Sequence, residues 1–418
     1  MRSLIIKKDS LFKFLVVLFF LLPSSTVIGG PSFWFIIIFL SACTTLVVGY
    51  KNIVSQDIIY FKIFFLFTLF FITVSIFRSY RYAIFDDLFE LIRIASLLVF
   101  LLCGYFLSSR RTSNFLLKFF LFYLILQFLV VILQKFEPIK ELMSIIWNMD
   151  KTWSLRGTGT LGNPNVLALM SILSMLYICF FSNQKKIILI AFTICSLNVL
   201  LSGSRTGLVG YFIITMFVLV ISGKLSFSSV FKKLIVISIF STTTVIVLIS
   251  LSGELRYMGE LLNAFSGDGM DLTKVGTFSH RLEAWERQFR LFENSGDISI
   301  LIGMGPSKGV GFRVMDNDYM AQYLKYGLIG VFSNILLLVM IFVSTLRSNR
   351  VHSNATKFVA AILLTYLIFA LTAATFLSLF NMLPLMLLTG FLIKSGFEGS
   401  YIIEKSDNNL SCSSTDRH

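Results

Sequence analysis

Long apolar runs separated by short polar turns make up most of the chain. Each run is close to the roughly 20 residues that a helix needs to cross about 30 Å of hydrocarbon. The pattern predicts an all-α polytopic membrane protein with about twelve transmembrane helices. Their predicted cores are 12–29, 32–49, 59–77, 89–107, 115–134, 165–182, 185–202, 206–223, 232–251, 322–346, 357–376 and 379–395.

The composition agrees with this class of protein. Of the 418 residues, 56% are hydrophobic and 14% are charged, whereas an average soluble chain is about 25% charged. A soluble enzyme, a disordered protein and a disulfide scaffold are therefore excluded. The five cysteines and three histidines lack the spacing of a metal site or a disulfide framework, so neither a metal nor another cofactor is expected.

The net charge of +14 reflects membrane topology, because basic residues concentrate in cytoplasmic turns. With the N-terminus placed in the cytoplasm, every even-numbered turn is basic, and the C-terminal tail also returns to the cytoplasm. No basic patch is interleaved with exposed aromatic residues, so no nucleic-acid partner is expected. The basic residues of the even-numbered turns are Lys51, Arg110, Arg111, Lys185, Lys186, Lys224, Lys232, Lys233, Arg347, Arg350 and Lys357.

The turns divide the chain into consecutive parts. Residues 1–251 carry the first nine predicted spans, with a shorter external loop at 135–164. Residues 252–319 form a large external loop, residues 320–396 carry the last three spans, and residues 397–418 form a polar tail. In the large loop, 17 of 68 residues are charged. Loops of this length without structure of their own are uncommon unless they are functional.

The large loop is predicted to contain a short helix over residues 279–293. Its apolar residues recur at steps of three and four, which places Leu282, Trp285, Phe289 and Phe292 on one face. This face is expected to lie on the membrane surface or to cap the helix bundle. A flexible turn is predicted after the helix, because the glycines there lack the spacing of a phosphate-binding loop. These glycines are Gly303, Gly305, Gly309 and Gly311.

Two polar clusters interrupt the apolar pattern at external turns. In the first, Arg156 is followed by glycines and by Asn163-Pro-Asn165, where the proline begins a helix. Arginine and helix N-termini both attract anions, so this turn is a candidate anion site; a tight re-entry turn with an interfacial arginine is the alternative. In the second, Ser202–Gly207, the turn is so short that Arg205 must lie at the membrane interface or within the bundle. Charges within a bundle are usually functional, and an interfacial anchor is the alternative.

The third cluster, Asp316-Asn317-Asp318-Tyr319, precedes the tenth predicted span. A carboxylate at the edge of a membrane can have a raised pKa and act as a base; a hydrated loop end is the alternative. The two aspartates also have the spacing with which nucleotide-sugar enzymes hold a metal and a diphosphate. This interpretation is discounted, because nucleotide sugars are cytoplasmic and the segment is predicted to be external.

Arginines from the loops and turns converge on the external side of the predicted topology. Arg156, Arg205, Arg281 and Arg313 all belong to this set, and guanidinium groups match the geometry of phosphate oxygens. The set suits an anionic lipid diphosphate in the outer leaflet. The diphosphate is a good leaving group when arginines hold its charge. An acceptor hydroxyl, deprotonated by Asp316, would then attack the attached sugar carbon.

The order of these motifs resembles that of the O-antigen polymerase/ligase family of bacterial envelope glycan assembly. An R-x-x-G-x-x-x-N-P-N-like turn is matched at 156–165, and an S-R-[TS]-G turn at 204–207. An R-x-x-x-W element in the external loop is matched at 281–285, followed by a G-x-G at 303–305. An aspartate-asparagine pair and a G-[LI]-[LI]-G helix start follow within 316–330. The resemblance covers residues from about 150 to 335 and extends to the remainder of the chain only as hydropathy.

The resemblance implies a metal-independent, inverting glycosyl transfer that uses undecaprenyl-diphosphate-linked oligosaccharides as donor and acceptor. It implies a bacterial inner-membrane protein with a periplasmic loop, and a chain-length regulator protein as a further partner. Asp316, or alternatively Asp318, corresponds to the catalytic base. The arginines at 156, 205, 281 and 313 correspond to diphosphate-binding residues. Supporting positions are Asn163, Asn165, Asn317, Trp285 and Tyr319.

The branch of the family depends on one position. In the ligase branch a histidine usually precedes the asparagine of the loop, and here that position is Asp316. This difference favours the polymerase, which moves the growing glycan from its lipid carrier to the non-reducing end of an incoming lipid-linked repeat unit. A ligase remains the first alternative. A flippase or transporter of lipid-linked sugars is the second, although such proteins commonly show matched halves that this chain lacks.

Overall fold

All regular secondary structure in the described part of the chain is helical, as the sequence predicts. The protein is therefore an all-α protein, and the computed structural model gives the positions of its helices. The residues described are 2–21, 36–41, 43–44, 56–78, 85–139, 141–142, 156–222, 283, 285–287, 289–290, 292–293, 296, 298–306, 317–348, 353–373, 375–378 and 381–394.

The helices run in order along the chain, with two short 3₁₀ turns at Phe85–Leu88 and Gly159–Leu161. Many begin with a capping residue, as at Ser353, whose side chain accepts from the amide of Thr356. Their bounds are α1 Arg2–Leu21, α2 Gln56–Arg78, α3 Phe89–Leu107, α4 Arg110–Leu133, α5 Pro164–Phe181, α6 Lys185–Ser202, α7 Arg205–Ser222, α8 Ile298–Ile302, α9 Asp318–Ser348, α10 Asn354–Ala370 and α11 Asn381–Lys394.

Within these ranges, six helices are long and apolar enough to cross a membrane, namely α2, α3, α4, α5, α6 and α9. Three shorter apolar helices, α7, α10 and α11, accompany them. These nine coincide with predicted spans, and the chain is a helical membrane protein. The total of about twelve stays a prediction, because the predicted span at 232–251 lies outside the described residues and those at 12–29 and 32–49 are described only in part.

Helix α5 lies at the centre of the bundle. Of its residues, 78% are buried, whereas the buried share is 33–56% in the other helices of spanning length. Helix α2 lies at the periphery, since Leu66, Phe70 and Phe77 are more than half exposed on its outer face. Apolar side chains on such a face suit contact with lipid, because hydrocarbon is as apolar as they are. The core and the lipid-facing surface are thus both apolar, and polar groups concentrate at the ends of the bundle.

Two polar regions mark the two ends of the bundle. The first, called the loop end below, carries residues 156–163 and the turn between α6 and α7. At the opposite end, Asp9 of α1 accepts hydrogen bonds from Ser109 at 3.0 Å and Thr112 at 2.6 Å, and pairs with Lys13. Burial raises the pKa of Asp9, but these donors outweigh it and hold the pKa below its ordinary value. The charged carboxylate therefore ties α1 to the start of α4.

Gly303 and Gly305 form a defined contact with α9 rather than the predicted flexible turn, and Gly309 and Gly311 lie outside the described residues. Helix α9 is interrupted at Gly327, whose φ is +64° and ψ −160°. The carbonyls freed before this break accept from Met304 at 2.9 Å and Gly305 at 2.8 Å. A Cβ on Gly303 would lie 2.3 Å from the backbone of α9. Glycine is required because two backbones approach here without room for a side chain.

A second pair of glycines lets α3 and α11 cross in close contact. A Cβ added to Gly104 would lie 2.0 Å from the carbonyl oxygen of Leu387, and one added to Gly390 would lie 2.1 Å from that of Leu101. Small residues at helix crossings are the usual means by which membrane helices approach closely. Because the obstacle is backbone, a side chain cannot be accommodated by a change of rotamer.

We expect Gly104→Ala to destabilise the protein by about 1–3 kcal/mol, the usual cost of overpacking. The measurement is the thermal unfolding midpoint of the purified protein in detergent. Gly210→Ala is the matched control, because the nearest atoms to its Cβ belong to side chains, that of Phe369 at 3.1 Å and that of Ile368 at 3.6 Å. Equal midpoints for the two variants would contradict the crossing of α3 and α11 described here.

Candidate functional site

The turn from 156 to 163 descends into the loop end of the bundle and is held by two glutamines of the α4 region. Gln134 accepts from the amides of Thr158 and Gly159 at 3.1 and 3.2 Å and donates to the carbonyl of Gly159 at 3.0 Å. Gln127 accepts from the amide of Thr160 at 2.9 Å and donates to its hydroxyl at 2.7 Å. The two glutamines lie about 10 Å apart along the helix axis. The turn therefore reaches into the bundle with its main chain satisfied.

The asparagines of this turn have separate structural roles. Asn163 caps α5, since its side chain accepts from the amides of Asn165 at 2.9 Å and Val166 at 3.3 Å. Pro164 follows in the first helical turn, where its missing N–H costs nothing. Asn165 turns toward α7 and accepts from the hydroxyl of Ser204 at 2.7 Å. The structure thus joins the first predicted cluster to the second.

The two arginines of these clusters belong to one surface of the loop end. Arg156 is half-buried, and its Nε donates to the carbonyl of Ser202 at 3.2 Å. Its aliphatic stem lies against Gly203, where a Cβ would be 3.5 Å from the arginine side chain. Arg205 begins α7 two residues later, with its Nε and Nη2 atoms buried. Arg156, the turn of residues 202–204 and Arg205 are called the cationic turn below, and an arrangement with two arginines suits an anion.

Asp318 begins α9 and is completely buried. Its carboxylate accepts from the amide of Phe376, and from the amide of Leu377 at 3.3 Å. The preceding Asn317 caps α9 by accepting from the amide of Met320 at 3.1 Å, and Tyr319 donates its hydroxyl to the carbonyl of Leu367 at 3.0 Å. All three predicted residues therefore hold the start of α9 in place, and Asp318 is the anchor of the segment between α10 and α11.

A buried ion pair beside Asp318 was not predicted from the sequence. Arg93 donates from Nε to Glu90 at 2.7 Å and from Nη1 to the carbonyl of Phe376 at 3.1 Å. The hydroxyl of Tyr326 donates to the same Glu90 oxygen at 3.1 Å. A signal was present, because two charges in the first turns of an apolar span are costly and usually have a function. Their partners Phe376 and Tyr326 are distant in sequence, so residue spacing along the chain could not predict these contacts.

The segment of residues 371–378, called the α10–α11 connection below, bridges the two clusters. The hydroxyls of Thr372 and Thr206 are hydrogen-bonded, which places the connection beside Arg205. Its other part, Phe376 and Leu377, is bound to Asp318. The cationic turn and the start of α9 therefore lie at the same end of the bundle, as the predicted topology requires.

The loop helix packs over this end. The described residues between 283 and 293 are helical, and Trp285 and Phe289 are half-buried while Phe292 is buried. The ring of Phe292 lies 5.0 Å from that of Tyr323 on α9, and the apolar cluster includes Leu377. Of the two alternatives for the predicted apolar face, the structure thus favours the cap over the bundle.

Three of the predicted site residues, Arg281, Arg313 and Asp316, lie outside the described residues, so their positions stay predictions. Among the residues that the structure describes, no three His, Cys, Asp or Glu side chains form a group able to hold a metal ion. No family model matches the chain, and no curated protein shows significant similarity to it. The resemblance to the O-antigen polymerase/ligase family therefore rests on the order of its motifs.

We expect Gln134→Met to destabilise the protein by about 1–3 kcal/mol, because it leaves the buried amides of residues 158 and 159 without their acceptor. The measurement is again the unfolding midpoint in detergent. Gln184→Met is the control, since Gln184 is exposed and its side chain makes no capping hydrogen bond. A midpoint for Gln134→Met equal to that of the control would mean that the turn does not depend on α4.

Proposed function

We propose that the protein is a surface-polysaccharide polymerase of the O-antigen type. It would move a growing glycan from undecaprenyl diphosphate to the non-reducing end of an incoming lipid-linked repeat unit. The observation that carries the proposal is the cationic turn, where Arg156 contacts the turn that leads into Arg205. That turn lies at the end of the bundle where α9 begins, and the residue proposed as base precedes α9 by two positions in the sequence.

The proposed reaction uses the cationic turn to stabilise the leaving group. Arg156 and Arg205, joined by Arg281 and Arg313 of the loop, hold the diphosphate oxygens. The acceptor hydroxyl loses its proton to a carboxylate and attacks the anomeric carbon of the donor from the side opposite the diphosphate. One carbon–oxygen bond forms as the bond to the diphosphate breaks, so the configuration inverts. Undecaprenyl diphosphate leaves with the bonding electrons.

Of the two candidate bases, Asp316 is the better supported. Asp318 is fully buried and is bound by the amides of Phe376 and Leu377. A carboxylate with those bonds is held as an acceptor and is less available to an incoming hydroxyl. Asp316 lies two residues earlier, before the N-terminus of α9. Asp318 would then support the base by fixing the start of α9, two residues further along the chain.

The position of the site in the cell is part of the proposal. The loop end would face the periplasm, and both chain termini would lie in the cytoplasm of a bacterium whose inner membrane holds the protein. The opposite end of the bundle, where Asp9 and Ser109 are hydrogen-bonded, also carries the basic Arg110 and Arg111. Basic residues concentrate on the cytoplasmic side of a membrane, which favours this orientation. A chain-length regulator would be a further partner.

The test is a gel of the surface glycan from cells with and without the gene. We expect deletion to collapse the ladder of chain lengths to a single repeat unit on the lipid core. Loss of the single unit as well would contradict the polymerase. Lipid-linked polymer accumulating in the envelope would then indicate a ligase, and its absence would indicate a flippase or transporter.

Complementation of the deletion then tests the diphosphate site. Arg156→Ala, Arg205→Ala and Arg281→Ala should each reduce polymerisation by about 10²–10³-fold, the usual cost of losing one group that stabilises the charge of a transition state. Arg290→Ala is the control, because that side chain is 72% exposed and paired with Glu286. All variants must insert at wild-type levels. Normal ladders from all three site variants would contradict the diphosphate site.

Asp316→Asn should reduce polymerisation by about 10²–10⁴-fold, the usual contribution of a general base, because the amide keeps the shape but accepts no proton. The measurement is the density of the ladder at equal protein level. Glu293→Gln is the matched control, since Glu293 is an exposed carboxylate of the loop helix. Full activity of Asp316→Asn would move the base to another group.

A further inference from the structure

The α10–α11 connection is held from two sides by charged side chains. On one side Arg93 of α3 donates to the carbonyl of Phe376 at 3.1 Å. On the other side Asp318 of α9 accepts from the amide of the same residue. Glu90 completes the set, since it binds Nε of Arg93 at 2.7 Å and the hydroxyl of Tyr326. One residue of the connection is thus fixed at both its amide and its carbonyl.

This network is a costly way to hold a short segment. The side chains of Arg93 and Glu90 are 11% and 9% exposed, and Asp318 is completely buried. Apolar packing would hold a segment with less loss of hydration, and removal of one charged partner leaves the others uncompensated. Buried charges at membrane depth are usually kept for a function. The network therefore calls for a role that requires a fixed geometry.

The network does not form a pocket for the substrate itself. The cavity beside Arg93 is lined by Gln322, Tyr326, Asn334 and Phe376 among others and has a volume of about 40 Å³. One water requires roughly 10–15 Å³ of such space, so the cavity admits a few water molecules and no sugar ring. Arg93 is also engaged by Glu90 and by a carbonyl. These contacts favour a positioning role over a binding role.

The connection contacts three described elements that belong to or support the proposed site. Thr372 is hydrogen-bonded to Thr206, the residue after Arg205. Leu377 packs in the cluster formed by Trp285 and Phe292 of the loop helix. Asp318 anchors the same segment at the start of α9. A shift of the connection would therefore move the cationic turn, the loop helix and the start of α9 relative to one another.

We infer that Glu90, Arg93 and Asp318 are positioning residues, which fix the α10–α11 connection and through it the spacing between the cationic turn and the start of α9. The inference rests on the proposed function, because it assigns the network to that reaction. A misplacement of about 1 Å by a distant residue can reduce turnover about 10²-fold. The network would thus govern turnover without touching the substrate.

The first measurement is independent of activity. Thr206→Cys and Thr372→Cys are combined after the five native cysteines have been replaced by alanine, and disulfide formation under mild oxidation is followed on a gel. We expect a rapid crosslink in this parent, and loss of it when Glu90→Gln or Arg93→Met is added. Arg93→Lys should restore part of the crosslink that Arg93→Met loses. Lysine keeps the positive charge but lacks the guanidinium group that donates to both Glu90 and Phe376.

Asp9→Asn is the matched control, since Asp9 is a charged carboxylate that joins helices at the opposite end. It should leave the crosslink and the glycan ladder unchanged. A parent without crosslinking, or network variants that crosslink as fast as the parent, would overturn the inference. Variants are compared at equal level and with a single peak in size-exclusion chromatography, and if Arg93→Met fails this criterion, Glu90→Gln decides the outcome.

The second measurement connects the network to the reaction. In cells that carry the same substitutions on the native cysteine background, the density of long glycan chains should fall about 10²-fold. A complete ladder despite a lost crosslink would refute the positioning role. Failure of the proposed function is recognised separately, because deletion of the whole gene would then leave the ladder intact or remove the single repeat unit as well.

Discussion

The structure depends on the rule that main-chain polar groups must be satisfied where lipid excludes water. Helices meet this rule by themselves, and each interruption of a helix has to meet it with other groups. Gln134 accepts from two amides of the turn from 156 to 163, and Asp318 accepts from the amides of the α10–α11 connection. The amides of Met304 and Gly305 donate to the carbonyls before Gly327. The interruptions supported in this way lie together at the loop end, where the candidate site is found.

Charge is distributed unevenly between the two ends. At the opposite end, Asp9 pairs with Lys13 and serves as a joint between helices. At the loop end, the side chain of Arg156 is bound to the turn that leads into Arg205, at the carbonyl of Ser202. Two arginines held at one surface in this way are well suited to bind an external anion. Charged side chains thus connect helices at one end of the bundle and form a candidate anion site at the other.

Parts of the site could be predicted because local rules decide them. Asn163-Pro-Asn165 begins a helix by the preferences of its own residues, and the arginines stand out against apolar surroundings. The Glu90–Arg93 pair was not predicted, because its importance comes from a contact with Phe376, which is distant in sequence. Gly303 was predicted to be flexible for a similar reason, since the backbone that contacts it belongs to α9.

The sequence alone determined the class of protein and the helical secondary structure. Apolar runs near the thickness of a membrane leave the chain little choice but to form helices. Only the tertiary structure decided which turns share one surface. The bond between Asn165 and Ser204 and the one between Thr206 and Thr372 join segments that lie far apart along the chain. Such contacts depend on how helices pack, and helix packing is set by shape and small residues such as Gly104 rather than by periodicity.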